Sequence, residues 1–227
     1  MGAVLGSVAV LMLATVASPA RGQFSGTAQP NSFRDTSMLK PPAGAKVAIV
    51  EFEDLECPAC SAAYPTVHRA AAQYKVPIVR YDFPLKMHLW SFDAAVYARW
   101  LQDKVDPKTA EDYRGAVFAA QQSIASKDDL QRFTRKFASD RKIPLPFAVD
   151  PTGALANKVR ADYALGERLN VTRTPTIVVV TNQHYQVISG NETGSNDINT
   201  IFEAIEGAIA QTKSAPVASA RKTTHTR

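Results

Sequence analysis

Cysteine is scarce in this sequence: 227 residues contain two, Cys57 and Cys60. That scarcity excludes a small disulfide-stapled scaffold, which needs several bridges. It also excludes a four-cysteine zinc site. The four histidines, at positions 68, 88, 184 and 225, are scattered and form no HxxxH pair that could complete a two-cysteine site. No metal and no cofactor are therefore expected. Net charge is also missing from the body of the chain. The formal charge is +5, but Arg21 and the tail residues Lys213, Arg221, Lys222 and Arg227 account for all of it, and 22–212 balances. No basic patch studded with aromatics is present, which argues against nucleic-acid binding. Beyond the N-terminus no apolar run approaches the ~20 residues that span a bilayer. Internal repeats and extended low-complexity segments are absent as well.

The first twenty residues carry no charged side chain and end in small residues, Ala17-Ser18-Pro19-Ala20. This resembles a secretory signal peptide over 1–22, cleaved after Ala20 or Gly22. It departs from the usual pattern because no Lys or Arg precedes the apolar run. An uncleaved N-terminal anchor is the other reading. Either places the protein outside the cytoplasm, periplasmic or extracellular. No cysteine sits at the cleavage site to accept a lipid.

Residues 23–45 read as a polar, flexible leader and 212–227 as a disordered basic tail. Between them lies one domain, 46–211. Val47-Ala48-Ile49-Val50 is a continuous apolar run ending at Glu51-Phe52, the pattern of a strand covered on both faces. From Cys60 the residues Tyr64, Val67, Ala71 and Tyr74 recur at helical spacing, and Val76 to Leu85 reads as a second strand. A strand, a crossover helix and a second strand over so short a span predict a parallel pair. From Ser91 to Leu169 the signals are helical, with candidate helices at Asp93 to Val96, Glu111 to Ile124, Asp128 to Ala138 and Ala154 to Leu169. Asp106-Pro107, Pro144-Leu145-Pro146 and Asp150-Pro151 punctuate them. Thr176 to Val180 and His184 to Ser189 predict a hairpin. Gly190 to Ser195 reads as a loop, and Asn196 or Asp197 would cap a last helix bearing Ile198, Ile201, Phe202, Ile205 and Ile209.

The two cysteines form Cys57-Pro58-Ala59-Cys60. A bridge closing so small a ring removes little chain entropy, so stabilisation is a poor reason for it and reactivity a better one. Without further ligands, the pair reads as a redox dithiol rather than half a zinc site. Cys57 falls between a buried strand and a helix start, with Pro58 at an early helical position where a missing N–H costs nothing. Free N–H groups and the helix dipole would favour its thiolate, and Cys60, one turn in, would be the shielded resolving thiol.

The segment Val50-Glu51-Phe52-Glu53-Asp54-Leu55-Glu56-Cys57-Pro58-Ala59-Cys60 resembles the active site of the thioredoxin superfamily, in its DsbA-like branch. Glu51, six residues before Cys57, is similar to the buried acid beneath such sites. Pro65, five after Cys60, matches the proline that kinks the active-site helix. Val171 to Thr176 resembles the loop bearing the cis-proline, at Thr174-Pro175. The long interval from Cys57 to Pro175 fits the DsbA-like arrangement, a thioredoxin-like α/β fold with a helical insertion at about 91–169.

The resemblance implies a monomeric thiol–disulfide oxidoreductase that oxidises dithiols of cysteine-containing proteins. A quinone-linked membrane partner of the DsbB or vitamin K epoxide reductase type would reoxidise it. Cys57 and Cys60 would be the redox pair, Glu51 a proton relay, and Thr174 and Pro175 the edge that docks a peptide. Ala59 replaces the histidine of the best-known DsbA motif, so the dithiol is expected to be less oxidising. A reductase or isomerase, or a binding module without turnover, are the alternatives. Pro175 could instead simply begin a strand, and Glu51 could point to solvent. Glu53, Asp54 and Glu56 are expected to form a solvated acidic rim and His68 to lie on the surface. Trp90 and Trp100 are expected to pack within the insertion.

Overall fold

The computed structural model describes residues 36–189 and 197–214. The signal segment, the leader before Thr36, the loop Gly190 to Ser195, Asn196 and the tail beyond Ser214 lie outside the described residues. Strand β1 (Val47–Glu53) leads into α1 (Pro58–Tyr74) and β2 (Ile78–Asp82). Four helices follow: α2 (Ser91–Lys104), α3 (Pro107–Ala120), α4 (Lys127–Asp140) and α5 (Ala154–Leu169). The hairpin β3 (Thr176–Thr181) and β4 (Tyr185–Ser189) and helix α6 (Thr200–Ser214) close the chain. The sheet order is β2-β1-β3-β4. As the crossover predicts, β1 and β2 are parallel, with Glu51 opposite Arg80 and Glu53 opposite Asp82. β3 runs antiparallel to both β1 and β4.

Every residue of β1 is buried, which makes it a central strand covered on both faces. Val47 and Ile49 face α1 and α6, packing with Val67, Ala70, Ile201 and Ile205. Ala48, Val50 and Phe52 face α5, packing with Leu165 and Leu169. There α5 approaches closely: a Cβ on Gly166 would lie 2.5 Å from the Phe83 ring. By the two-residue alternation of a strand, Glu51 and Glu53 share the face of Val47 and Ile49.

Several boundaries differ from the sequence reading. β2 is shorter at both ends, because Pro77 lies just before it and Pro84 just after. α3 begins at Pro107, not Glu111: Asp106 caps it by accepting from the Thr109 amide at 2.8 Å, so the Asp-Pro punctuation is a helix start. It ends at Ala120, and a short 3-10 turn, Gln121–Ser123, replaces its expected last turn. α6 begins at Thr200. Ile198 precedes it yet packs on the same core. The leader's last residues are ordered, with a turn at Thr36–Met38 and Leu39 buried against the α5 face of the sheet. Trp90 and Trp100 are buried in the insertion's own core. Among the described residues no helix is long and apolar enough to cross a membrane.

Candidate active site

Cys57 is the N-cap residue of α1, with extended backbone at φ −79° and ψ 119°, and Pro58 follows inside the first turn. Pro58 and Ala59 are exposed, whereas the two cysteines are 6% and 1% exposed. Both thiols are free. Pro65 lies within α1, and Ala63 and Val67 beside it turn inward. The peptide bond between Thr174 and Pro175 is cis, and Pro175 directly precedes β3. This loop meets the first cysteine directly: Cys57 Sγ donates to the Thr174 carbonyl at 3.4 Å. The buried Thr174 hydroxyl has no hydrogen-bond partner among the described residues. It faces the same sulfur and favours the anion.

The environment drives the two thiols apart. The Cys60 thiol, acting as donor, is the largest influence lowering Cys57, from 9.0 to about 5. Burial opposes this, while Thr174 and the backbone N–H groups of Cys60 and Ala59 assist. Cys60 moves the other way. Burial pushes it well above the ordinary value, and the Cys57 anion and the Glu53 carboxylate add to the shift. The arrangement can present one reactive thiolate while keeping its partner protonated.

Beneath the pair lies a layer of charge that the sequence reading misassigned. Glu53 and Asp54 are buried and Glu56 is half-buried, so they do not form a solvated rim. Each is held by partners distant in sequence. Glu53 pairs with Arg80 and Arg114. Asp54 accepts from the Leu85 amide at 2.6 Å and contacts His88 Nδ1 at 2.7 Å. Glu56 accepts from the Trp90 and Ser91 amides at 2.6 and 3.0 Å. The backbone N–H of Asp54 reaches Cys60 Sγ at 3.5 Å. His68 is likewise no free surface residue: its Nε2 lies 3.1 Å from Glu111, within reach of Arg80.

Glu51 is 1% exposed, with Arg80 3.4 Å away. Burial, then repulsion from Glu53, raises its carboxyl from 4.5 to about 7 despite Arg80 and His68. Sequence reasoning missed Arg80, Glu111 and Arg114. The available signal was that a strand buried on both faces carries two glutamates on its inner face, and these require cations. Among the described residues no group of three or more His, Cys, Asp or Glu could hold a metal ion.

The sequence model of the thioredoxin family matches residues 36–214. No curated protein sequence matches the chain. Among solved structures the chain is similar to Wolbachia pipientis α-DsbA1, with a TM-score of 0.56 and 18% identity, covering 76% of this chain and 92% of that one. Proteus mirabilis ScsC gives 0.58 and 15%, covering 75% and 71%. The Wolbachia pipientis thiol-disulfide exchange protein α-DsbA2 gives 0.57 and 17%, covering 74% and 84%. The chain therefore belongs to the thioredoxin family, and its inserted helices give it the DsbA-like form of the fold.

Proposed function

We propose that this protein is an exported oxidase of protein dithiols. The observation that carries the reading is the division of the cysteine pair: Cys57 as a stabilised thiolate beside the cis Thr174-Pro175 bond, Cys60 as a shielded thiol. A thiolate held at about 5 stabilises the reduced form of the pair, which makes its disulfide an oxidant. The similarity to a thiol-disulfide exchange protein supports the same chemistry.

In the proposed cycle an extended substrate segment pairs with the backbone at Thr174 and Pro175. A substrate thiolate attacks Cys57 Sγ, the bond to Cys60 breaks, and its electron pair leaves on Cys60 Sγ. Cys60 takes a proton from Glu51. A second substrate thiolate then attacks the mixed disulfide, releasing the oxidised substrate and the Cys57 thiolate. Of the two substrate protons, one replaces the proton that Glu51 gave to Cys60 and the other goes to solvent. The membrane partner of the DsbB or vitamin K epoxide reductase type would take the two electrons onward. Residues 1–22 direct export, the domain over 46–211 works as a monomer, and neither metal nor cofactor takes part.

The test is oxidation of a reduced model protein by the mature chain, with a redox titration alongside. Transfer should occur and should vanish in Cys57→Ser. The potential should lie above the about −270 mV of thioredoxin and short of the about −120 mV of DsbA, since Ala59 supplies no imidazole. No transfer would sink the proposal, and a potential near thioredoxin's would favour the reductase.

A further inference from the structure

Glu51 and Glu53, neighbours on one face of β1, are both buried, and their surroundings differ. Among the described residues Glu51 has one ionic contact, with Arg80 at 3.4 Å. Glu53 is clamped through Oε1 alone, by Arg114 Nη1 and, in an ionic contact of 3.0 Å, by Arg80 Nε. Its Oε2 is buried and has no hydrogen-bond partner among the described residues. After burial and the Cys57 sulfur, which raise the Cys60 thiol most, Glu53 is the carboxylate that adds to the shift. One clamp comes from outside the β1–α1–β2 unit. Arg114 belongs to α3 of the helical insertion, is 3% exposed, and is itself fixed by Asp82 Oδ1 at 2.8 Å. Arg99 of α2 completes that anchorage at Asp82 Oδ2, 2.6 Å away.

We propose that the two glutamates have separate roles in controlling Cys60. Salt-bridged Glu53 is a fixed anion that holds Cys60 as a thiol, Glu51 carries the mobile proton, and Arg114 is the positioning residue that assigns these roles. The inference rests on the relay reading of Glu51 given above. The physical reason is that adjacent carboxylates in a dry site do not ionise equally, and the one given more cation keeps the charge. Two guanidiniums meet on Glu53 Oε1, so the proton goes to Glu51. The other groups facing the pair are Cys60, Tyr64 and His68 from α1, Arg80 and Asp82 from β2, and Glu111 from α3. Of these, His68 and Arg80 favour the Glu51 anion, and Glu53 and Glu111 oppose it. The unpartnered Oε2 leaves the Glu53 charge uncompensated on one side, and that charge acts on Cys60. The helical insertion thereby sets the chemistry of a cysteine it does not carry.

The experiment follows attack of Cys60 on a mixed disulfide between Cys57 and glutathione, by rapid acid quench and mass spectrometry between about pH 5 and pH 9. In the wild type the log rate should bend where Glu51 titrates. Glu53→Gln should move the bend to lower pH, and Arg114→Gln to higher pH, each by on the order of one pH unit. Arg114→Lys, which keeps the charge, should restore it. Packing damage alone would not move two neighbours in opposite directions. Shifts of the same sign, or none, overturn the inference. If either variant fails to fold, carboxyl carbon NMR of the wild type decides: a Glu53 signal titrating together with that of Glu51 overturns it. Glu51→Gln separates the two readings. Loss of the bend there, without shifts at 53 and 114, leaves the relay standing and ends this inference; a bend that survives ends the relay itself.

Discussion

The sheet is joined to its helices by two kinds of seam. Against α1 and α6 the contact is dry, made by Val47, Ile49, Ile177 and Val179 on one side and Val67, Ile201 and Ile205 on the other. Toward α2 and α3 of the helical insertion, whose α5 packs dry against Val50 and Phe52, the seam is charged: Arg80, Arg99 and Arg114 interleave with Glu51, Glu53, Asp82, Glu111 and Asp162. A dry seam tolerates small slips, because apolar contact is non-directional. A charged seam permits one register only, since each displaced partner leaves a buried ion alone. The active site draws on both, for burial from the first and electrostatics from the second.

Removing a single partner from the charged seam should have the largest effect. Asp82→Ala removes the carboxylate that Arg99 and Arg114 share, leaves each buried guanidinium with one partner, Asp162 and Glu53, and should cost about 3–5 kcal/mol in urea unfolding. Cavity creation in the dry seam comes next: Ile205→Ala, at a fully buried position, should cost about 2–4 kcal/mol, independent of pH. If the two variants showed equal pH dependence, the distinction between the seams would fall.

The charged seam also predicts a pH signature. The Glu51 carboxyl is raised in the folded state, so its contribution is favourable below its ordinary 4.5 and is lost as pH rises through about 7. Asp82 runs the other way: burial resists ionisation, but Arg114 and Arg99 outweigh it and hold the group below its ordinary 3.8. Its contribution is present above 3.8 and lost as pH falls through the lowered value. Glu51→Gln should therefore flatten the decline between 4.5 and 7 and leave the acid limb in place. A decline unchanged in that variant would assign it elsewhere. The smallest effect belongs to an ion pair outside both seams. Lys108→Ala, which removes a solvent-exposed contact with Asp112, should change stability by at most about 0.5 kcal/mol.

The two seams also differ in how far the sequence discloses them. The dry one is visible as pattern: the apolar run of β1, the helical spacing from Cys60 through Val67 to Ala71, and the stripe of α6. Cys57, Pro58 and Thr174-Pro175 are legible too, because short motifs carry them. The charged seam is not visible that way. Periodicity assigns a charged residue to the surface by default, so Glu53, Asp54 and His68 read as solvated. Their partners are Arg114, Leu85 and Glu111, and only the folded chain brings these alongside. The same blindness to side-chain partners misplaced α3, whose start depends on the Asp106 side chain turning back onto Thr109.

The central claim is that the site makes a thiolate of Cys57 and withholds one from Cys60. Alkylation of the reduced full chain by iodoacetamide, followed across pH and mapped to each cysteine by mass spectrometry, tests it directly. The account predicts that Cys57 reacts with a midpoint of about 5 and that Cys60 stays unmodified while the fold is intact. A Cys57 midpoint at the ordinary 9.0, or preferential labelling of Cys60, would contradict it.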